Sequence, residues 1–262
     1  MVTAMATAKH RTKNNMAIGL TDLHTHILPG IDDGAQDLDM ALQMLRAQKA
    51  SGVERVALTP HFYPLRDEWD AFLENRQRAY ELLQSAWDAT AMPQLRLGAE
   101  VHYSPSLADM DLGQLALEKT NYLLLELSDT VQPALIEPVL QYMLEQGITP
   151  ILAHVERCIY FAQKPARLLR LIEMGALAQI SLRRLPDKKM QKFAEVCLQK
   201  NAAQIIASDI HTAEKSAMGE LLGNIQEETI LKAETFARAV WENTKPPVFA
   251  IVPFEKKLFG YA

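Results

Sequence analysis

Gly147-Ile-Thr-Pro-Ile-Leu-Ala-His154 carries the plan of the whole chain in miniature. A glycine suited to the left-handed residue that closes a helix is followed at once by a short apolar run, which ends on a histidine. The same order recurs at Gly52 before Val53 and at Gly175 before Ala176. Strand-like runs are read at residues 17–25, 53–59, 94–101, 122–128, 149–153, 177–182 and 204–209. Most are continuous Val, Ile, Leu and Ala, the pattern of strands covered on both faces in a parallel sheet. Between them lie helical patterns. Leu38, Ala41, Leu42 and Leu45 fall at i, i+3, i+4 and i+7, and Ile136, Leu140, Met143 and Leu144 nearly do so. Seven βα repeats in one chain favour a closed barrel over a doubly wound open sheet.

The composition narrows the class. A chain of 262 residues, 48% hydrophobic, can bury a sizeable core without staples. Its net charge of -5, from 27 basic and 32 acidic side chains, argues against a nucleic-acid or anionic-membrane surface. Two cysteines, Cys158 and Cys197, exclude a disulfide framework and fit a reducing cytoplasm. No apolar run approaches the ~18 residues of a membrane span. Residues 1–16 are small and polar and read as a frayed extension; residues 245–262, with Pro246, Pro247 and Pro253, read as irregular packing against the barrel.

Chemistry-bearing residues gather at the strand ends. His24 and His26 end the first run, His61 follows the second, His154 ends the fifth and His211 follows the seventh. Glu100, Glu126 and Asp209 occupy matching places. In a βα barrel all strand C-termini open on one face, so residues far apart in sequence converge on one pocket. In His24-Thr-His26 and Asp209-Ile-His211 the outer residues are two apart on extended chain. Both side chains then point the same way, about 6–7 Å apart at ~3.3 Å per residue. Mixed imidazole and carboxylate without cysteine suits Mn²⁺, Fe²⁺ or Zn²⁺ in a hydrolytic cluster of two or three ions, for which a substrate phosphate is the natural customer.

Several neighbours join the candidates. Arg157 can grip phosphate oxygens in bidentate fashion. Asp33, in the turn-rich Pro29-Gly-Ile-Asp-Asp-Gly34, is favoured as a ligand or hydrogen-bond partner, while Asp32 has the ordinary reading of a turn former. His102, two residues after Glu100, is a candidate substrate contact, and Phe62, Tyr63, Tyr103 and Tyr160 are candidate pocket walls. Competing chemistries lack their signatures. Neither cysteine begins a C-x₅-R loop, because Lys164 and Ala203 stand where the arginine belongs. Dinucleotide and P-loop glycine patterns, His-Glu-x-x-His and the G-x-S-x-G elbow are also missing.

Taken together, Asp22-Leu-His-Thr-His-Ile-Leu-Pro-Gly-Ile-Asp-Asp-Gly34, Thr59-Pro-His61, Gly98-Ala-Glu100, Leu125-Glu126, Ala153-His-Val-Glu-Arg157 and Ala207-Ser-Asp-Ile-His211 resemble the polymerase-and-histidinol-phosphatase (PHP) superfamily. Leu28-Pro-Gly-Ile-Asp-Asp-Gly34 and the His-x-Glu-Arg step are most similar to its bacterial capsule-type, manganese-dependent protein-tyrosine phosphatases. The resemblance implies an α/β fold, a distorted (β/α)₇ TIM-like barrel forming a single domain over residues 17–262. It further implies a trinuclear centre, with manganese the expected metal. His24, His26, Glu100 and Asp209 would hold one ion; Glu100 and Glu126, with His154, a second; His61 and His211, with or without Asp33, a third. Arg157 would bind phosphate, and Arg157, Asp209 and His211 would carry the catalytic step. The implied substrate is a tyrosine-phosphorylated bacterial kinase that controls capsule or exopolysaccharide synthesis. The chain departs from the pattern at Val155, where the family usually has proline, and over residues 179–185, which are shorter and more basic. Arg183 and Arg184 there are placed to attract an acidic phosphopeptide. The alternatives are a small-molecule phosphatase of the same superfamily, acting on a histidinol-phosphate-like substrate, and a non-catalytic metal-binding partner of the kinase.

Overall fold

The computed structural model describes residues 19–184, 188–213 and 218–254. The extension expected over residues 1–16 and the last part of the tail lie outside the described residues. The chain runs β1 (Leu20–Asp22), α1 (Leu38–Ala50), β2 (Val53–Leu58), β3 (His61–Phe62), α2 (Trp69–Ser85), β4 (Gln94–Leu97), β5 (Glu100–His102), β6 (Tyr122–Glu126), α3 (Ile136–Glu145), β7 (Thr149–Leu152), α4 (Ile159–Gln163), α5 (Ala166–Glu173), β8 (Leu177–Ser181), α6 (Lys188–Gln199), β9 (Ile205–Ala207), α7 (Met218–Leu221) and α8 (Glu227–Trp241). Each of the seven expected runs contains a strand. The glycines ending three helices all take positive φ: 96° at Gly52, 76° at Gly147 and 119° at Gly175.

The strands pair in parallel in two sheets, β1-β2-β4 and β3-β5-β6-β7-β8-β9. The division arises because two strands break in step. Pro60, which has no N–H to give a ladder, separates β2 from β3, and Gly98 separates β4 from β5. Hydrogen bonds carry the pairing across the breaks, from Gly98 N–H to Leu58 O (2.9 Å) and from Glu100 N–H to Pro60 O (3.0 Å). The two sheets therefore continue one another. They also meet at the far side: Thr25 bridges Ile210 in parallel, His26 N–H donates to Ile210 O and Asp209 N–H to His24 O. Counting each broken pair as one strand, seven parallel strands close into a TIM-like barrel.

Apolar side chains face both ways, as the continuous runs predict. On β6, Leu123 and Leu125 pack outward with Val139, Leu140 and Met143 of α3. Tyr122 and Leu124 join Leu23, Ile151 and Ile205 in a second cluster with Phe236, Val240 and Trp241 of α8, leaving Glu126 on the inward face. Helix α1 begins at Asp37, whose carboxylate accepts Met40 N–H at 2.9 Å, and buries Ala41, Leu42, Met44 and Leu45. The tail keeps to irregular structure as far as Phe254. Asn201 Nδ2 donates to Ala250 O and Val252 N–H to Lys200 O, both at 2.9 Å, holding it against the strand starts. Among the described residues no helix is long and apolar enough to cross a membrane.

Candidate metal centre

Glu100 stands at the middle of the strand C-termini and is buried. Its Oε2 lies 3.1 Å from His24 Nε2, 3.2 Å from His26 Nε2 and 3.0 Å from His61 Nδ1, while Oε1 lies 2.9 Å from His154 Nε2. Asp209 Oδ1 reaches His24 and His26 at 3.7 and 3.6 Å and His211 Nδ1 at 3.4 Å. Glu126 approaches His154 Nε2 at 3.6 Å and His61 Nδ1 at 3.9 Å. Asp33, although 67% exposed, brings Oδ1 to 3.3 Å from His211 Nε2 and 3.5 Å from His61 Nε2. The structure thus brings all nine expected metal-ligand side chains together. Among the described residues three sets have donor atoms within 4.8 Å of one another: His24, His26 and Glu100; His61, Glu100 and Glu126; and His26, Asp33, His61 and His211. The expected grouping is adjusted in two places, since His61 also approaches Glu126 and His26 also approaches Asp33.

The imidazoles are held by groups the sequence reading missed. His26 Nδ1 donates to Asp32 Oδ2 at 2.8 Å, so Asp32 orients a histidine as well as forming a turn. His24 Nδ1 faces Gln179 Oε1 at 3.2 Å, and that oxygen also accepts His154 N–H. With both Nδ1 hydrogens so committed, the Nε2 lone pairs of His24 and His26 face each other at 3.1 Å. Glu100 Oε2 and His61 Nδ1, 3.0 Å apart, are both buried without a hydrogen-bond partner. Lone pairs packed this closely repel unless a cation or proton lies between them. The donor set and its buried unpartnered atoms fit divalent cations.

Protons show the same pull. Burial pushes His24 down, but the Glu100 and Asp209 carboxylates outweigh it and hold its pKa at about 9. His26 also rises well above the ordinary imidazole value, burial being overcome by Asp32 and Glu100. Burial and the charge on His26 push His211 the other way, to about 4. Glu100 titrates well below the ordinary range, since its histidines overcome the effect of burial. The pocket therefore holds positive charge strongly, and Glu100, Glu126 and Asp209 stay ionised.

Local backbone places two of these side chains. His154 and Asp209 take left-handed conformations, φ 31° and 55°, at the ends of β7 and β9. The extended reading of Asp209-Ile-His211 is thereby corrected, although its outer residues still converge. Gly34 follows from close approach: a Cβ there would stand 1.9 Å from His26 O and 2.5 Å from His26 Cβ. Gly34→Ala is expected to displace the Asp32–Asp33 turn and destabilise the fold by about 1–3 kcal/mol. Thermal melting checks this, and an unchanged melting temperature contradicts it.

Residues 20–229 match the family described as capsular polysaccharide synthesis, CpsB/CapC. The chain belongs to the CpsB/CapC family. Tyrosine-protein phosphatase YwqE of Bacillus subtilis is 30% identical to this CpsB/CapC chain over 200 residues, 73% of this chain and 77% of its own length. Tyrosine-protein phosphatase CpsB of Streptococcus pneumoniae is 27% identical over 208 residues, covering 73% and 83%. A crystal structure from work on YwqE and CpsB, described as metal-dependent tyrosine phosphatases, superposes with a TM-score of 0.79 at 22% identity, covering 90% of this chain and all of that one. Histidinol phosphate phosphatase from Lactococcus lactis, solved with zinc, L-histidinol and phosphate, gives 0.51 at 13% identity, covering 84% and 94%.

Around the cluster of this CpsB/CapC chain, His102 Nδ1 lies 3.1 Å from Glu126 Oε2 with the side chain 39% exposed at the rim. Tyr63 stands beside it, its ring 5.4 Å from both His61 and His102. Burial and the charges on Glu126 and Glu100 raise its phenol to about 12. Phe62 and Tyr160 turn into the core instead, and Tyr103 packs against it. Arg157 uses Nε and Nη2 on Asp129 Oδ2 at 3.2 and 3.0 Å, a partner not foreseen from the sequence. Glu156 is buried, accepts Ser181 N–H and is pushed by burial up to about 8. A separate cavity of about 680 Å³ lies at the opposite end, between the strand starts and the tail, and holds none of these side chains.

Proposed function

We propose that this chain is a metal-dependent phosphomonoesterase acting on phosphotyrosine in protein, with a tyrosine kinase of capsule or exopolysaccharide synthesis as its substrate and the cytoplasm as its place of work. The observation that carries the reading is the convergence of four imidazoles on the single buried carboxylate of Glu100. His24, His26, Glu100 and Asp209 would hold one ion, Glu100, Glu126 and His154 a second, and Asp33, His61 and His211 a third, manganese being favoured over iron or zinc. Divalent ions bound there supply a nucleophile from water at neutral pH and positive charge against the phosphate.

The chain's own groups do the positioning. Asp32 and Gln179 fix the rings of His26 and His24 so that Nε2 faces the centre. Asp129 sets the plane of Arg157, which would hold a phosphate oxygen. His102, beside Glu126 at the rim, would meet the substrate. The Tyr63 phenol stays protonated at neutral pH and offers an O–H beside the reacting group. Leu65, Val131 and Leu135, in the segments that follow β3 and β6, and Ile159 at the start of α4 are exposed beyond the strand C-termini, a surface that suits a polypeptide better than a small phosphate ester. Relatives named tyrosine-protein phosphatases support the same reading.

The test compares phosphate release by manganese-loaded protein from a phosphotyrosine peptide and from histidinol phosphate. Release from the peptide, abolished by a chelator, is expected. Cys158→Ser and Cys197→Ser should keep that activity, because burial raises both thiols and neither approaches the cluster. Faster turnover of histidinol phosphate overturns the substrate, and kinase binding without release overturns the enzyme.

A further inference from the structure

We propose that Arg183 is a second guanidinium for the substrate phosphate, set on the opposite flank of the cluster from Arg157. The assignment rests on the phosphomonoesterase reading above and names a residue that reading does not use. Arg183 lies on the short 3₁₀ turn Leu182–Arg184, directly after β8, at the same barrel end as the histidines. The turn starts from a fixed point. Ser181 Oγ donates to Asp209 Oδ2 at 3.0 Å and Ser181 N–H to Glu156 Oε1 at 3.1 Å, so β8 is tied at its last residue to the site. From there Nη1 comes to 2.8 Å from His211 Nδ1 and 3.9 Å from Asp209 Oδ1, while the side chain is 40% exposed at the mouth.

The contact with His211 cannot persist when that ring faces the cluster. His211 Nδ1 also lies 2.9 Å from Asp209 O, and Nε2 faces Asp33. A nitrogen that donates its hydrogen to a carbonyl has no in-plane lone pair left for a guanidinium. When Nε2 serves as a donor to a cation, the ring hydrogen sits on Nδ1 and goes to Asp209 O. The Nη1–H of Arg183 then loses its acceptor while its charge remains at the edge of the cluster. An oxyanion arriving at the centre supplies the missing acceptor. Arg157 serves the other side: its Nε and Nη2 are engaged with Asp129, beyond β6, whereas Arg183 reaches toward β9. Arg157 ends the short turn Val155–Arg157 after β7, and Arg183 lies on the turn after the neighbouring strand β8, so both guanidinium groups stand at the strand ends that carry the cluster. The Arg184 side chain lies outside the described residues and has no part in this.

The test is calorimetric titration of metal-loaded protein with inorganic phosphate, for the parent, Arg183→Ala and Arg183→Lys, with metal per chain measured on each sample. Arg183→Ala should weaken phosphate binding roughly 10-fold or more. Arg183→Lys should fall between, since it keeps the charge and loses the fork. Metal content and melting temperature should stay unchanged. Equal phosphate affinity in all three proteins overturns the proposal. So does weakening that merely tracks lost metal, because that assigns Arg183 to holding His211. Failure of the parent to hydrolyse phosphotyrosine would sink the activity reading alone, since phosphate titration does not depend on the ester.

Discussion

Glu100→Gln is expected to lower turnover by roughly 10³-fold or more and to reduce the metal bound per chain. The reason is position rather than mere membership of the cluster. One carboxylate touches four imidazoles, three through Oε2 and one through Oε1, and two of the three compact donor sets include it. An amide of the same shape keeps the volume but removes the negative charge and places an N–H₂ among nitrogen atoms. Elemental analysis alongside kinetics on a phosphotyrosine peptide checks both halves. Full activity with full metal content in this variant would remove the basis for the proposed centre. The metal-loaded variant should also melt lower, since ions bound only by the folded state stabilise it.

Removing metal should make stability fall steeply on the alkaline side. In the folded, metal-free chain His24 titrates at about 9 against an ordinary value of 6.5. A raised pKa means that the folded state binds the proton more tightly, so the stabilisation is full below pH 6.5 and disappears as pH rises through 9. That single group contributes on the order of 3 kcal/mol. His26, raised in the same direction, adds to the loss, and Glu156, raised to about 8, adds its own beginning at its ordinary value of 4.5. His211 works against them: lowered to about 4, it favours folding above 6.5 and loses that as pH falls. On the acid side Glu100 and Asp209, both lowered, withdraw their stabilisation as they protonate. Metal reverses the alkaline trend, because imidazoles must shed protons to bind it and affinity therefore rises with pH. Melting curves with chelator and with manganese, at about pH 6 and about pH 9, read the difference directly. A metal-free protein that melts at the same temperature at both values would contradict the charge balance described here.

The barrel was legible because burial on both faces leaves a plain signal: Leu123 and Leu125 go outward, Leu124 inward, and all three read as apolar. The strand-end histidines were legible because few other places in an apolar run tolerate imidazole. The breaks at Pro60 and Gly98 carried a signal, a proline and a glycine inside strand patterns, but pairing across them depends on neighbours distant in sequence. The orienting partners were harder. Gln179 is one of two polar residues, with Ser181, in a short strand whose others are apolar, and only closure of the barrel shows it turned toward His24 and His154. Asp129 for Arg157 and Asp32 for His26 are loop choices decided by tertiary packing. Asp32 and Asp33 differ by one position, and the chain direction at Gly34 decides which is buried and which faces the mouth.

The left-handed backbone at His154 and Asp209 has a consequence for attempts to harden this molecule. Glycine would sit more comfortably at either position, by about 1 kcal/mol each. On this backbone effect alone, a library screened for heat resistance in chelator would drift toward glycine there and return barrels with an emptied cage, whereas a screen run with metal would keep both side chains. What hardens the bare barrel is thus not what keeps the working one, and a screen must include the ions to hold these two residues.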